Sequence, residues 1–330
     1  MTDFLHEERR VLERARQCKA DKIFLVTDTN VAPLIEDLLP EVPRIPVKAG
    51  ENHKNLQSAV EIWEYLSTHR ATRKTLIVNV GGGMVSDLGG FVASTFKRGI
   101  PYINMPTTLL AAVDASIGGK TAVDFMGLKN EIGTFYFPEC TIPLTGLFES
   151  LPEEEWLSGC GEVLKTAILM DDGLYEKVAT EAFIRQRRPD LVREAVERCA
   201  AFKEQIVAND PEDRGERRIL NFGHTFGHAL ESLMMEKDTP IPHGIAVAHG
   251  ILYALNLSIE RYGTGEKWKK SFEEILEKYF PPLELSESDR SRIKELMGHD
   301  KKNAQAGKPA FILIDKKRKR STHIDLDSLN

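Results

Sequence analysis

The stretch that most restricts the fold is TLIVNV, Thr75–Val80, followed at once by GGGMVSDLGGF, Gly81–Phe91. A nearly continuous apolar run of that length marks a strand covered on both faces of a parallel sheet. Parallel strands need crossovers, and the upstream chain supplies them. KIFLV at Lys22–Val26 and RIPV at Arg44–Val47 read as strands, Val31–Leu39 as a short helix and Asn55–Arg70 as a longer one. This β-α-β-α-β rhythm predicts a doubly wound α/β nucleotide-binding domain. Glycines at the carboxyl end of a buried strand let backbone N–H groups approach a pyrophosphate at the start of the next helix. The spacing is not GxGxxG, and a tight structural turn explains three glycines equally well.

After Pro152 the pattern turns helical, over Pro152–Met170, Pro189–Ala208, Arg217–Met235, Gly244–Tyr262 and Lys267–Tyr279. Pro152 followed by Glu153, Glu154 and Glu155 suits the first turn and positive dipole end of a helix. A boundary near Ser150 separates two expected domains, residues 1–150 and 151–330, with ligands expected in the cleft between them. The chain's 330 residues exceed the usual reach of one core. A formal charge of −6 gives no support to nucleic-acid binding. No apolar run approaches the ~20 residues of a membrane helix. The opening MTDFLHEERRVLERARQ lacks the apolar core of a signal peptide. Cys18, Cys140, Cys160 and Cys199 lie far apart without CxxC spacing, which fits free thiols in a reducing cytoplasm. KKRKR at Lys316–Arg320, between PAFILID and STHIDLD, reads as a solvated hairpin tip rather than a localisation signal.

Read as one helix, Arg217–Met235 sorts into two faces. Arg217, Asn221, His224 and His228 fall at i, i+4, i+7 and i+11, within about 60° of one another. Ile219, Phe222, Phe226, Leu230 and Leu233 lie opposite. Two His four apart can aim their nitrogens at one point, which suits a metal or an anion; a wet polar face is the bland alternative. Glu162 and Lys165 sit three apart among Gly159 and Gly161, and glycines inside a helix imply close approach of something. PIPHG places His243 near a helix start. Glu162, His224 and His243 thus offer one carboxylate and two imidazoles from three helices, the ligand number of a catalytic zinc with an open position. His228, one turn from His224, reads as an outer-shell residue or general base.

Other polar groups gather at strand ends. Asp28 and Asn30 follow one strand, Glu51 and Lys54 the next, and Asp87 follows the glycine run; a ribose is held at such positions, although turns favour the same residues. Pro106–Gly133 carries Thr107, Thr108, Asp114 in an apolar setting, Lys120 after two glycines, Lys129 and Asn130. Lys120 there reads as a phosphate ligand, and an aspartate among Ala and Val needs a partner. A nucleotide half facing a metal half implies a dehydrogenase-type oxidation. The cations Arg98, Lys120, Lys129, Lys165, Lys203 and Arg217, with Lys301 and Lys302, suggest a substrate bearing phosphate and carboxylate groups.

With these pieces in order (GGGMVSDLGGF, KRG at Lys97–Gly99, PTTLL, VDASIGGKTAV, LKNEIG, GEVLK, LNFGHTFGH, PHG and DKKN), the chain resembles the 3-dehydroquinate synthases from about Lys22 to Asn303. The resemblance implies a metal site of Glu162, His224 and His243, normally zinc and sometimes cobalt. It implies NAD⁺ contacts at Asp28, Asn30, Glu51, Lys54, Gly82, Gly83, Asp87, Thr107, Thr108 and Lys129, and along Leu147–Ser150. Substrate contacts would come from Asp114, Lys120, Asn130, Lys165, Lys203, Arg217, Asn221 and His228, with Lys301 or Lys302. Arg98 would reach a neighbouring subunit's site, so a homodimer is expected. The implied substrate is the small sugar phosphate 3-deoxy-D-arabino-heptulosonate 7-phosphate, cyclised to 3-dehydroquinate and phosphate, with His228 handling a hydroxyl proton. Related readings are another sugar-phosphate cyclase, a metal-dependent alcohol or glycerol dehydrogenase, and a non-enzymatic homologue. The chain departs from the family pattern at Ser86 (usually Gly), Gly161 (commonly Ala), Ser150 (often Thr) and Ile245 (usually Glu). The last removes a possible outer-shell carboxylate near His243. Set against the family pattern, the chain is also expected to start late, without the family's N-terminal pair of strands.

Overall fold

The structure is a computed structural model describing residues 4–170, 173–298, 309–315 and 319–323. The chain divides into two compact units, Met1–Leu151 and Pro152–Asn330.

In the first unit helix α1 (Leu5–Gln17) precedes strands β1 (Ile23–Asp28) and β2 (Arg44–Val47), helix α2 (Leu56–Thr68), strand β3 (Leu76–Gly81), helix α3 (Gly83–Thr95) and strand β4 (Tyr102–Pro106). The strands form one parallel sheet in the order β2-β1-β3-β4, with Leu25 opposite Arg44 and Ile77 opposite Tyr102. Side chains alternate across it. Phe24, Val26 and Ile77 pack with Ile62, Leu66, Val85, Leu88 and Val92 of α2 and α3. Leu25, Val78 and Val80 pack on the other face with Val11 and Ala15 of α1 and with Ile35 and Leu38. Burial on both faces is why β3 is apolar along nearly its whole length. Its polar exception, Asn79, donates from Nδ2 to Asn104 Oδ1 on β4 at 3.0 Å, and Asn104 Nδ2 donates to the Ser116 carbonyl at 3.0 Å.

One expectation changes here. Val31–Leu39 is not an α-helix but a 3₁₀ turn over Ala32–Ile35, because Pro40 disfavours helical geometry at Leu39, whose φ is +49°. A π-helical turn spans Ala111–Ala115, and strands β5 (Lys120–Phe125) and β6 (Leu128–Phe135) form an antiparallel hairpin.

The second unit begins with α4 (Glu153–Met170), the short helices α5 (Leu174–Val178) and α6 (Glu181–Ile184), and α7 (Pro189–Asn209). It continues with α8 (His224–Glu236), α9 (His243–Tyr262), α10 (Glu266–Tyr279), α11 (Glu287–Gly298) and the hairpin β7 (Ala310–Ile314) and β8 (Lys319–His323), so it is helical but not all-helical. The single helix expected over Arg217–Met235 is broken. Glu216–Asn221 is a 3₁₀ turn, and Gly223 takes φ +79° before α8 starts at His224. A residue in left-handed geometry cannot continue a helix, so the wheel that aligned Arg217 and Asn221 with the histidines does not hold across it. His224 and His228 remain one turn apart on α8. Among the described residues no helix is long and apolar enough to cross a membrane.

Candidate metal and nucleotide sites

In the second unit α9 packs against both α4 and α8, and glycines let it come close. A Cβ on Gly161 would lie 2.1 Å from the Gly244 carbonyl oxygen, and one on Gly244 would lie 1.8 Å from the Ser158 carbonyl oxygen. The α4–α9 crossing therefore has no room for a methyl group on either helix. Ser158 of α4 then caps α9, its Oγ accepting from Gly244 N at 3.0 Å. This junction fixes Glu162, one residue past Gly161, beside His243, the first residue of α9.

Three elements thus converge on one carboxylate. Glu162 is fully buried, and its Oε1 lies 3.5 Å from His243 Nε2 and 3.8 Å from His224 Nε2. Ligands at 2.0–2.2 Å from one tetrahedral ion stand about 3.3–3.5 Å apart, so this spacing needs little adjustment to share a cation. The donors, two imidazoles and a carboxylate, suit zinc or a similar borderline ion. Nitrogens of His224, His228 and His243 also lie within 4.8 Å of one another, which brings His228 nearer than an outer-shell role alone requires. Its ring centroid stands 5.2 Å from that of His224 and 5.6 Å from that of His243.

Both expected ligand rings are held from behind. His224 Nδ1 lies 3.2 Å from the Phe222 carbonyl oxygen and His243 Nδ1 lies 2.8 Å from Glu231 Oε2. These oxygens only accept, so each Nδ1 donates and each Nε2 faces Glu162. Burial pulls the His243 pKa down, but hydrogen bonds to Glu162 and Glu231, with the charge of both, push it up to about 10. Sequence reasoning overlooked Glu231. The signal was present, since it lies at i+7 from His224 on the same helical stripe, while Ile245, where the resemblance implies an acid, is buried.

The remaining predicted residues of this unit are mostly buried cations. Lys165 is 1% exposed and ion-paired with Glu162 Oε2; Lys203 and Arg217 are buried as well. Buried ammonium and guanidinium groups are costly without anions to meet them. Asp210, also overlooked in the sequence, builds the turn that carries Arg217. Its carboxylate accepts from the backbone N–H groups of Arg214, Gly215 and Arg217 at 2.7–3.0 Å, and these bonds hold it below the usual carboxylate range. Asn221 is half-buried at the end of that turn, Nδ2 donating to the Arg218 carbonyl at 3.2 Å. Lys301 and Lys302 lie outside the described residues.

In the first unit the predicted groups fall into separate sets. Lys54 is 3% exposed, with Nζ 2.5 Å from Glu51 Oε1, 3.4 Å from Asp87 Oδ2 and 3.7 Å from Asp124 Oδ1. Burial works against its charge, but the three carboxylates win and raise its pKa. Asp124, not among the expected residues, also accepts from Asn130 N at 2.8 Å and so joins the cluster to the β5–β6 hairpin. Beside Asp87, α3 starts at Gly82 and Gly83 without a side-chain cap, leaving its positive end suited to an anion. Those glycines also meet the protein's own needs, because Cβ atoms there would stand 3.2 Å from Thr108 Cγ2 and from Ala115 Cβ. Thr107 is buried, and Thr108 Oγ1 accepts from Ala111 N at 3.2 Å. Asp28 accepts from Asn30 N and Val31 N, a local turn that already uses one carboxylate oxygen. Asp114 is half-exposed on the π-helical turn rather than enclosed by apolar residues. Lys120, Lys129, Asn130 and Arg98 are exposed, Arg98 with φ +70°. Leu147 is buried in a 3₁₀ turn, Thr145–Ser150, and Ser150 Oγ donates to its carbonyl at 2.8 Å.

Comparison with known proteins decides the family. The 3-dehydroquinate synthase N-terminal family model matches residues 44–158 and the C-terminal one residues 159–303. A 3-dehydroquinate synthase of Parabacteroides distasonis is 42% identical over 302 residues, 90% of this chain and 85% of the relative. The chain belongs to the 3-dehydroquinate synthase family. A second member, from Clostridium acetobutylicum, is 40% identical over 86% of this chain and 81% of its own. The family's fold is shared by a 2-deoxy-scyllo-inosose synthase solved with carbaglucose-6-phosphate, NAD⁺ and Co²⁺ (22% identity, TM-score 0.82, covering 97% of this chain and 92% of that one). It is shared also by a 2-epi-5-epi-valiolone synthase from Streptomyces hygroscopicus with NAD⁺ and Zn²⁺ bound (22% identity, TM-score 0.77, covering 92% and 86%).

Proposed function

We propose that this chain is a 3-dehydroquinate synthase, acting as a cytoplasmic homodimer on 3-deoxy-D-arabino-heptulosonate 7-phosphate and releasing 3-dehydroquinate and phosphate. The observation that carries the reading is the Glu162–His224–His243 cluster, two Nε2 atoms within 3.8 Å of one buried carboxylate oxygen, in a chain of this family. The second unit is the metal- and substrate-binding part and the first the NAD-binding part. A divalent ion held by Glu162, His224 and His243 would supply Lewis acidity to a substrate hydroxyl, and NAD⁺ a hydride acceptor that is later restored. Glu51, Lys54 and Asp87 present acceptors and one donor to ribose hydroxyls, while Gly82 and Gly83 bring backbone N–H groups to the pyrophosphate. Asp28, Asn30, Thr107, Thr108, Lys129, Leu147 and Ser150 complete the cofactor contacts.

His228, whose ring stands beside both ligand imidazoles, takes the proton from the substrate hydroxyl as it is oxidised and returns it on reduction. Arg217, Asn221 and Lys203 grip the substrate carboxylate, with Lys301 or Lys302. Lys165 balances the charge of Glu162 and reaches the substrate hydroxyls. Lys120, Asn130 and Arg98, the last from the partner, hold the phosphate, and Asp114 orients the ring. Phosphate then leaves from a site where cations already offset its charge.

The test is direct. Purified protein with the heptulosonate phosphate, zinc and a trace of NAD⁺ should release phosphate and dehydroquinate in equal amounts, without net NADH. Metal-loaded protein that gives no product, or that accumulates NADH in proportion to substrate, refutes the reading.

A further inference from the structure

The two imidazoles expected to hold the metal are oriented by different kinds of acceptor. Behind His224 stands a neutral carbonyl, that of Phe222, at 3.2 Å; behind His243 stands a carboxylate, Glu231 Oε2, at 2.8 Å. Glu231 lies on α8, two turns after His224 and three residues after His228. One helix therefore contributes one imidazole directly and braces another that belongs to α9. Its side chain is largely enclosed, only 12% exposed, so the charge is weakly screened. One residue past His243–Gly244 stands the buried, apolar Ile245.

We infer that Glu231 is a positioning residue for the metal site, acting through His243: it fixes the ring with Nδ1–H toward α8 and Nε2 toward Glu162. This rests on the assignment of Glu162, His224 and His243 as the metal site. A ring held only by its χ angles can rotate about χ2 and present either nitrogen, whereas a carboxylate acceptor on Nδ1 selects one tautomer and one orientation. Removing such a partner weakens metal binding about 10–100-fold.

The experiment compares the wild-type chain with Glu231→Ala, Glu231→Gln, Glu162→Ala and His224→Ala. Zinc and cobalt dissociation constants are measured against a competing chelator. The cobalt d–d spectrum and the ¹⁵N–¹H correlations of the His243 ring are recorded on the metal-loaded forms. Glu231→Ala should weaken binding about 10–100-fold, shift the cobalt spectrum and lose the protected His243 Nδ1–H signal. Glu231→Gln, whose amide oxygen still accepts, should recover the ring signal and part of the affinity. Unchanged affinity, spectrum and ring signals in Glu231→Ala, with binding lost in Glu162→Ala and His224→Ala, overturn this inference alone. Unchanged binding in Glu162→Ala and His224→Ala overturns the metal site itself. If Glu231→Ala loses its far-ultraviolet circular dichroism, Glu231→Gln decides alone: wild-type affinity and spectrum with no His243 Nδ1–H signal overturn the inference.

Discussion

Each unit centres its candidate site on a buried charge, and the two central charges are opposite in sign. In the first, the Lys54 ammonium lies among Glu51, Asp87 and Asp124. In the second, the Glu162 carboxylate lies among Lys165, His224 and His243. The neighbours of Lys54 are carboxylates, and they hold the lysine charged despite burial. That cluster has acceptors in excess, which suits the hydroxyls of a ribose. Two neighbours of Glu162 are imidazoles, the side chains that exchange protons near neutrality. The second cluster can shed protons and take a cation in their place. The difference separates a site built to position from one built to load, and each can be broken independently.

The largest effect is expected from Glu162→Gln. The amide keeps the shape but removes the charged ligand, and it leaves Lys165 buried without that carboxylate, a loss of about 3–5 kcal/mol in the metal-free fold. Metal content should fall from about one ion per chain to near zero, and phosphate release by at least about 10³-fold, since Lewis-acid stabilisation is worth several kcal/mol. NAD⁺ affinity should change little. Metal analysis, a phosphate assay and a cofactor titration on one preparation check all three. A fully metallated, active variant would break the contrast at its stronger end.

Lys54→Met makes the opposite cut. The stem is retained, but three carboxylates lose their shared cation. Glu51 is 40% exposed and solvent screens it, so the cost to stability is nearer 2 kcal/mol than the upper end for buried pairs. NAD⁺ binding should weaken about 10–100-fold while metal content stays near one per chain. Cofactor fluorescence titration beside metal analysis measures both; an unchanged NAD⁺ affinity would remove Lys54 from the cofactor site.

How far these two sites were legible follows from where their determinants lie. The doubly wound sheet was readable because burial of β3 on both faces writes itself into consecutive residues. Glu162, His224 and His243 were readable as candidate ligands because one carboxylate and two imidazoles from three helices match the donor number of a zinc site, and the family resemblance implies the same three. What escaped was set by through-space packing. The 3₁₀ turn before Gly223 looked helical because its apolar spacing continues across the break, and only the left-handed Gly223 ends the register. Glu231 and Asp124 act on residues from other elements, His243 twelve positions away and Lys54 seventy, so no local pattern links them to their partners. The Gly161–Gly244 contact joins helices far apart in sequence, and a lone glycine in a helix says that something is close without saying what.

The pH dependence of metal binding sharpens the comparison with the smallest perturbation. In the metal-free protein His243 has its pKa raised from an ordinary value near 6.5 to about 10, after the carboxylate bonds overcome burial. A raised pKa contributes stability that is fully present below the unfolded value and fades as pH rises through the folded one. The metal-free second unit therefore draws most from this imidazolium below about pH 6.5 and progressively less towards pH 10. A ligand nitrogen must be neutral, so the ion displaces that proton, and between these values the metal dissociation constant should fall about tenfold per unit rise in pH. Calorimetry at pH 7.5 in buffers of different ionisation enthalpy should find about one proton released from His243 per ion bound. The rise in thermal midpoint on adding zinc should grow from pH 6.5 to 8.5, because the metal-free state weakens as the loaded state tightens. NAD⁺ affinity should stay flat over the same range, since Lys54 is surrounded by the carboxylates Glu51, Asp87 and Asp124 rather than by imidazoles. A metal affinity independent of pH would mean that His243 is already neutral when the ion arrives, and that its two carboxylate neighbours do not hold its proton.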